Sequence, residues 1–223
     1  MTIASPQSRR TFLVGAAALA ITGCTTTRYA EPVAPAEPQI SPSVLAAYSA
    51  QPYEPYAVPA VDPSKVPPQF WRQQVSYPTN ERVGTIVVDT SRFFLHLVQE
   101  NGMAMCYGVG VGRQGFSWSG RAEVRYKKEW PTWTPPEEMI AREPELEQYS
   151  AANGGMPPGP MNPLGARALY IFQDGRDTLY RIHGSPEYWS IGSAVSSGYI
   201  HMIQQDVIVL YGRVTTGSPI LVT

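Results

Sequence analysis

Eleven of the chain's 22 prolines fall between residues 29 and 82, interspersed with Ala, Glu and Tyr. Proline fixes φ and lacks a donor, so so dense a series supports neither a long helix nor a central strand. No helical or strand periodicity runs through this stretch, and its composition predicts an extended, solvated linker over residues 25–68. As a coil, roughly 45 such residues span ~40 Å, and as polyproline ~140 Å. From about Gln69 the texture changes, and a domain over residues 69–223 is expected to hold the fold.

Within that domain the apolar residues are grouped as strands. Gly84 to Asp89 and Arg92 to Val98 are rich in β-branched and aromatic residues, and Asn101-Gly102 predicts a turn into a strand from Met103 to Val111. Arg121 to Trp130 reads as a further strand. Ala166 to Phe172 and Thr178 to Ile182 form a second hairpin across Asp174-Gly175. Helical spacing is confined to Pro136 to Tyr149 and Gln204 to Val214. The expectation is a mostly β domain with a few short helices, large enough for its own core.

The first 24 residues are an address, not part of the fold. Ser8-Arg9-Arg10-Thr11-Phe12-Leu13 matches the twin-arginine export pattern, and the uncharged run from Thr11 to Gly23 is too short to span a bilayer as a mature helix. Ile21-Thr22-Gly23-Cys24 resembles a lipobox, which implies acylation of Cys24 and a membrane anchor at the first mature residue. The alternative is an ordinary secretion signal with a chance cysteine. Either reading places the domain outside the cytoplasm, in the periplasm.

If Cys24 carries lipid, Cys106 has no partner in the chain, and no disulfide framework is available. A net charge of -1 with 16% charged residues gives no reason to expect nucleic acid or an anionic surface as partner. Gly110 to Gly115 satisfies G-x-G-x-x-G, but Phe116 to Gly120 reads as loop and strand where a dinucleotide site needs a helix. The spacing of His96, His183 and His201 lacks a metal motif. No cofactor and no metal are expected.

The stretch from His183 to Met202, HGSPEYWSIGSAVSSGYIHM, resembles the active-site signature of the L,D-transpeptidases, the YkuD-type enzymes that cross-link peptidoglycan. Gly84 to Thr90, Gly108 to Gly120, Glu129 to Pro136 and Asn162 to Ile171 are similar to a Gram-negative subgroup of the same family. The resemblance implies a β-sandwich-like domain that takes peptidoglycan stem peptides, with a cysteine nucleophile, a histidine base and backbone oxyanion donors. His183 matches the base, and the nucleophile is expected sixteen residues later, at position 199. By the same resemblance Ser197 and Gly198 belong to the catalytic stretch, Gly198 supplying a backbone donor. Gly184 and His201 are matched to substrate binding, and Tyr188 and Trp189, aromatic residues in the loop between the two halves of the signature, are expected to line a groove for the wall peptide.

Two positions depart from the signature. Tyr199 stands where the family has cysteine, and His201 where it has arginine. At pH 7 a free thiol is a few per cent ionised, whereas a phenol is ionised only about 0.1%. The phenol oxygen also stands a ring's length farther from the backbone, and a misplacement of about 1 Å can cost a hundredfold. Histidine, mostly neutral, does not replace the permanent cation and planar donor fork of arginine. Cys106 lies in another strand, at a position that the family does not use. The resulting expectation is a homologue that has lost its nucleophile and binds stem peptides or a wall-synthesis partner protein. The alternative is an enzyme acting through Tyr199 or through hydrolysis assisted by His183.

Overall fold

The computed structural model describes residues 40–112, 119–196 and 200–223. The export pattern, Cys24, Trp118, Ser197, Gly198 and Tyr199 lie outside the described residues. Residues Ile40–Thr223 form one compact unit.

The described strands are β1 (Gln73–Ser76), β2 (Ile86–Asp89), β3 (Phe94–Val98), β4 (Met103–Gly108), β5 (Val111–Gly112), β6 (Gly120–Glu129), β7 (Arg167–Gln173), β8 (Arg176–Ser185), β9 (Ala194–Ser196), β10 (Ile200–Ile203) and β11 (Pro219–Val222). Nine of them make one mixed sheet in the order β1-β4-β3-β2-β11-β6-β7-β8-β10, and β5 pairs with β9 in a small parallel sheet. The helices are α1 (Pro42–Ala47), α2 (Glu137–Arg142) and α3 (Gln204–Arg213). The mostly β architecture with few short helices agrees with the sequence expectation.

Two turns set the register of the hairpins. Asn101 and Gly102 have φ of 59° and 66°, and Asp174 and Gly175 have 49° and 76°. Positive φ at both central residues is the geometry that matches strand twist, and Asn-Gly and Asp-Gly tolerate it at low cost. The segment expected as one helix from Pro136 to Tyr149 is broken. α2 stops at Arg142 because Pro144 cannot continue it, and Glu143 is pushed to φ −132°, ψ 77°.

The sheet curls around a single main core. Ile86, Leu95 and Tyr107 from one half meet Val124, Leu169, Ile182 and Met202 from the other, with Val207 and Leu210 of α3 packed among them. Curling brings β10 back to the first half: the Gly110 N–H donates to the His201 carbonyl at 2.9 Å, and the His201 N–H donates to the Gly110 carbonyl at 3.0 Å. The β10 strand therefore has β8 on one side and Gly110 on the other.

Residues 40–68 correct the linker expectation. They are folded onto the domain as a strap. Pro42 occupies the first turn of α1, where the missing N–H costs nothing, and Ser41 caps it. Pro63 does the same in a short turn of 3₁₀ helix capped by Asp62. Between the prolines, Tyr48, Val58, Val61 and Val66 are buried, each such side chain contributing about 1.5–3 kcal/mol. Gln51 and Val58 pair as a bridge and close the intervening loop.

Buried polar groups stitch the strap down. The Tyr48 hydroxyl donates to Asp206 Oδ2 at 3.1 Å and accepts the Arg72 N–H at 2.6 Å. Gln205 Nε2 donates to the carbonyls of Ser49 and Pro59. Glu54 accepts two bonds from Arg167 and one from the Trp130 indole.

Candidate active site

His183 lies near the end of β8, and β10 runs parallel beside it with His201 as the register partner of His183. The two imidazoles are side by side, their centroids 6.4 Å apart. His183 is 5% exposed. Its Nδ1 sits 2.6 Å from the Gly184 carbonyl. A carbonyl only accepts, so the proton is on Nδ1 and the Nε2 of the neutral ring carries the lone pair. Burial lowers the His183 pKa to about 3, His201 adds to this, and the carbonyls of Gly184 and Pro163 oppose it. At neutral pH the ring is an uncharged, weak base.

His201 is 2% exposed. The Ser190 hydroxyl donates to the Glu187 carbonyl at 2.7 Å, so at 2.7 Å from His201 Nε2 it accepts the imidazole proton. His201 Nδ1 is then an acceptor, buried without a partner among the described residues. Burial lowers this imidazole to about 4. Gly110 packs directly on the ring, and a Cβ there would overlap it. The sequence expectation set His201 among the substrate contacts; the structure places its ring inside the protein, bonded to Ser190.

Gly184 is likewise buried, backed by the side chain of Gln204 at the start of α3. Gln204 Oε1 accepts the Ala166 N–H at 2.9 Å, so it fixes β8 against the entry to β7. Tyr188 and Trp189 form a turn of 3₁₀ helix with Ser190. Their rings meet edge to face at 5.4 Å, and Trp189 is 61% exposed. The structure thus gathers His183, Gly184, His201, Tyr188 and Trp189 at one end of β8 and β10.

Cys106 lies in β4 between Gln73 and His96 of the neighbouring strands. It is 5% exposed, and burial pushes its thiol up to about 11. That environment makes a thiol inert. The strand β5 occupies Val111–Gly112, so no helix opens at the second glycine of the G-x-G-x-x-G match; Arg113 to Gly115 lie outside the described residues.

The model of the L,D-transpeptidase catalytic domain, YkuD, matches residues 84–222, a span that holds β2 to β11, α3 and the histidine pair. The chain belongs to the YkuD family. Among relatives, "Probable L,D-transpeptidase YbiS" of Escherichia coli (strain K12) is 30% identical over 154 residues, covering 66% of this chain and 46% of the relative. "Probable L,D-transpeptidase ErfK/SrfK" of the same strain is 30% identical over 150 residues with the same coverage. The chain spans less than half the length of these curated relatives. A Brucella melitensis protein solved as "Probable carnitine operon oxidoreductase caia" is 44% identical, covers 70% of this chain and 95% of that one, and has a TM-score of 0.49.

Within this YkuD domain, several residues beside the histidines escaped sequence reasoning. Ser190 has no signature of its own. Gln204, Gln205 and Asp206 follow a buried apolar strand immediately and are 8%, 2% and 0% exposed. Three polar residues opening an amphipathic helix ordinarily face water, and only their partners in the strap, at Arg72 and at the Ala166 N–H explain their burial.

Proposed function

We propose that the chain is an exported member of the L,D-transpeptidase family that binds peptidoglycan stem peptides without cross-linking them. The observation that carries this reading is the fate of the thiols. Position 199 is tyrosine, and the sequence holds only two cysteines. One belongs to the export segment, and the other, Cys106, is buried in β4 with its thiol at about 11. The family reaction needs a thiolate within hydrogen-bond reach of a base. His183 fits the base by its position and tautomer, but at about 3 it has little affinity for a phenol proton.

The roles follow residue by residue. His183 occupies the place of the base, Tyr199 that of the nucleophile, and Ser197 and Gly198 the adjoining backbone, with Gly198 as oxyanion donor. Trp189 and Tyr188 supply aromatic surface to the stem peptide. Gly184 and His201 shape the site from behind. The twin-arginine pattern and Cys24 fit a domain exported to the periplasm and anchored by lipid, and a wall-synthesis protein is a second partner compatible with binding alone. Among the described residues no helix is long and apolar enough to cross a membrane.

The test is incubation with a disaccharide-tetrapeptide donor and acceptor, with product scored by mass spectrometry. The same assay is run on Tyr199→Cys and on Tyr199→Cys with His201→Arg. The expected result is binding without product for the unaltered chain and product after restoration of the cysteine. Cross-linked or trimmed product from the unaltered chain overturns the reading and returns the chemistry to Tyr199 or His183. Absence of binding removes the stem peptide as ligand.

A further inference from the structure

Between the strap and the body lies a groove of about 200 Å³. Val58, Pro59 and Ala60 of the strap form one wall, and Trp130, Met161 and Tyr188 face them. Its floor includes Ser185, two residues beyond His183 on the same strand, or ~7 Å along it. The groove therefore adjoins the histidine pair but is completed by a segment outside residues 84–222, the span of the family domain.

Three features define what fits. Among the described residues no charged side chain lines the groove, so these offer nothing to a carboxylate or an ammonium group. Its volume is below the ~300–1,000 Å³ of sites for drug-sized ligands, which limits the occupant to one or two small side chains. Gln205, which also lines it, is 2% exposed and uses Nε2 on the Ser49 and Pro59 carbonyls. That leaves Gln205 Oε1 buried without a partner among the described residues, an unfavourable state that a ligand donor would relieve. An uncharged occupant with an amide N–H and small apolar side chains meets all three conditions.

We propose that this groove is a binding subsite for a neutral peptide segment of alanine-like residues, with Gln205 Oε1 accepting a ligand amide N–H and Val58 to Ala60 of the strap setting the size limit. Assigning the segment to a stem peptide rests on the proposed function; the subsite itself rests on the groove. The strap is thus part of the recognition surface.

Acetyl-Ala-Ala-amide, titrated into the full chain and followed through the indole N–H resonance of Trp130 and the side-chain amide of Gln205, tests it directly. Saturable shifts of both resonances are expected. Ala60 is exposed, so Ala60→Phe blocks the groove with little effect on folding and is expected to weaken binding at least tenfold with an unchanged melting temperature. Ala57→Phe, on the same exposed wall, is an independent block. No shift in the unaltered chain, or undiminished binding in both variants, overturns the subsite. A parallel titration with disaccharide-tetrapeptide separates the two readings. If the unaltered chain and both variants bind it equally, the proposed function stands and the groove assignment falls. If it does not bind while the capped dipeptide does and both variants weaken that binding, the groove stands and the stem-peptide reading falls.

Discussion

Arg167 closes on Glu54 with two hydrogen bonds, of 2.7 and 2.9 Å, across 113 residues of sequence. Both side chains are nearly out of water, at 9% and 14% exposure. Burial disfavours the Glu54 carboxylate, but the bonds from Arg167 and Trp130 outweigh it and hold its pKa below the ordinary value. The pair fixes the middle of the strap to the start of β7. Glu54→Ala is expected to cost about 2 kcal/mol in urea unfolding. That is less than the ~3–5 kcal/mol for stranding a buried charge, because Glu129 remains 3.9 Å from Arg167. Proteolysis between residues 51 and 61 should accelerate in parallel; an unchanged cleavage rate would show that the strap holds without this pair.

Asp206 makes the stability of the fold depend on pH in an unusual direction. It is wholly buried, and burial pushes its carboxyl up to about 7 against the attraction of Arg72, 3.2 Å away, and the Tyr48 hydroxyl. The folded chain keeps this proton where the unfolded chain, at 3.8, releases it. Its contribution is therefore complete below pH 3.8 and lost as the pH rises through 7. His183 and His201 act oppositely: depressed to about 3 and 4 from 6.5, they contribute above pH 6.5 and lose this as the pH falls. Asp206→Asn should steepen the rise of stability between pH 4.5 and 6.5 by on the order of 1 kcal/mol per pH unit. Urea midpoints across that range measure it, and parallel curves for the two proteins would refute it.

Ser190→Ala leaves the buried His201 imidazole with neither nitrogen partnered among the described residues. A loss of about 1–3 kcal/mol is expected. Nitrogen-detected NMR of the His201 ring should show its tautomer no longer fixed with the proton on Nε2. Retention of the single tautomer would mean that another group holds the ring.

Gly110→Ala is expected to destabilise by about 1–3 kcal/mol, since the new methyl meets the His201 ring. The cost should largely vanish in a His201→Ala background. A double-mutant cycle reads the coupling, and simple additivity would place the strain elsewhere.

What was legible in the sequence followed from local rules. Asn101-Gly102 and Asp174-Gly175 announced hairpins because their backbone preference needs no distant partner. Gln204 to Val214 announced α3 through its apolar spacing, and the observed helix ends one residue earlier, at Arg213. The strap was not legible because proline density reports only what a segment does alone. Tyr48 and Glu54 are ordered by Asp206 and Arg167, more than a hundred residues away. The burial of His201 was hidden for a related reason: it depends on Gly110 returning from the opposite edge of the curled sheet. The signature named both His183 and His201, and the parallel register of β8 and β10 sets these two side by side.

The strap also determines how the domain carries a mechanical load. A pull applied at Ile40 meets the Tyr48–Asp206 bond first, then the Gln205 bond to Ser49, then Glu54 and Arg167, then the Gln205 bond to Pro59. These attachments are spaced along the chain and yield one after another, like stitches in a peeled seam. The curled sheet lies behind them and is loaded last, so tension on the N-terminal side would open the groove wall while β8, β10 and the histidine pair remained in register.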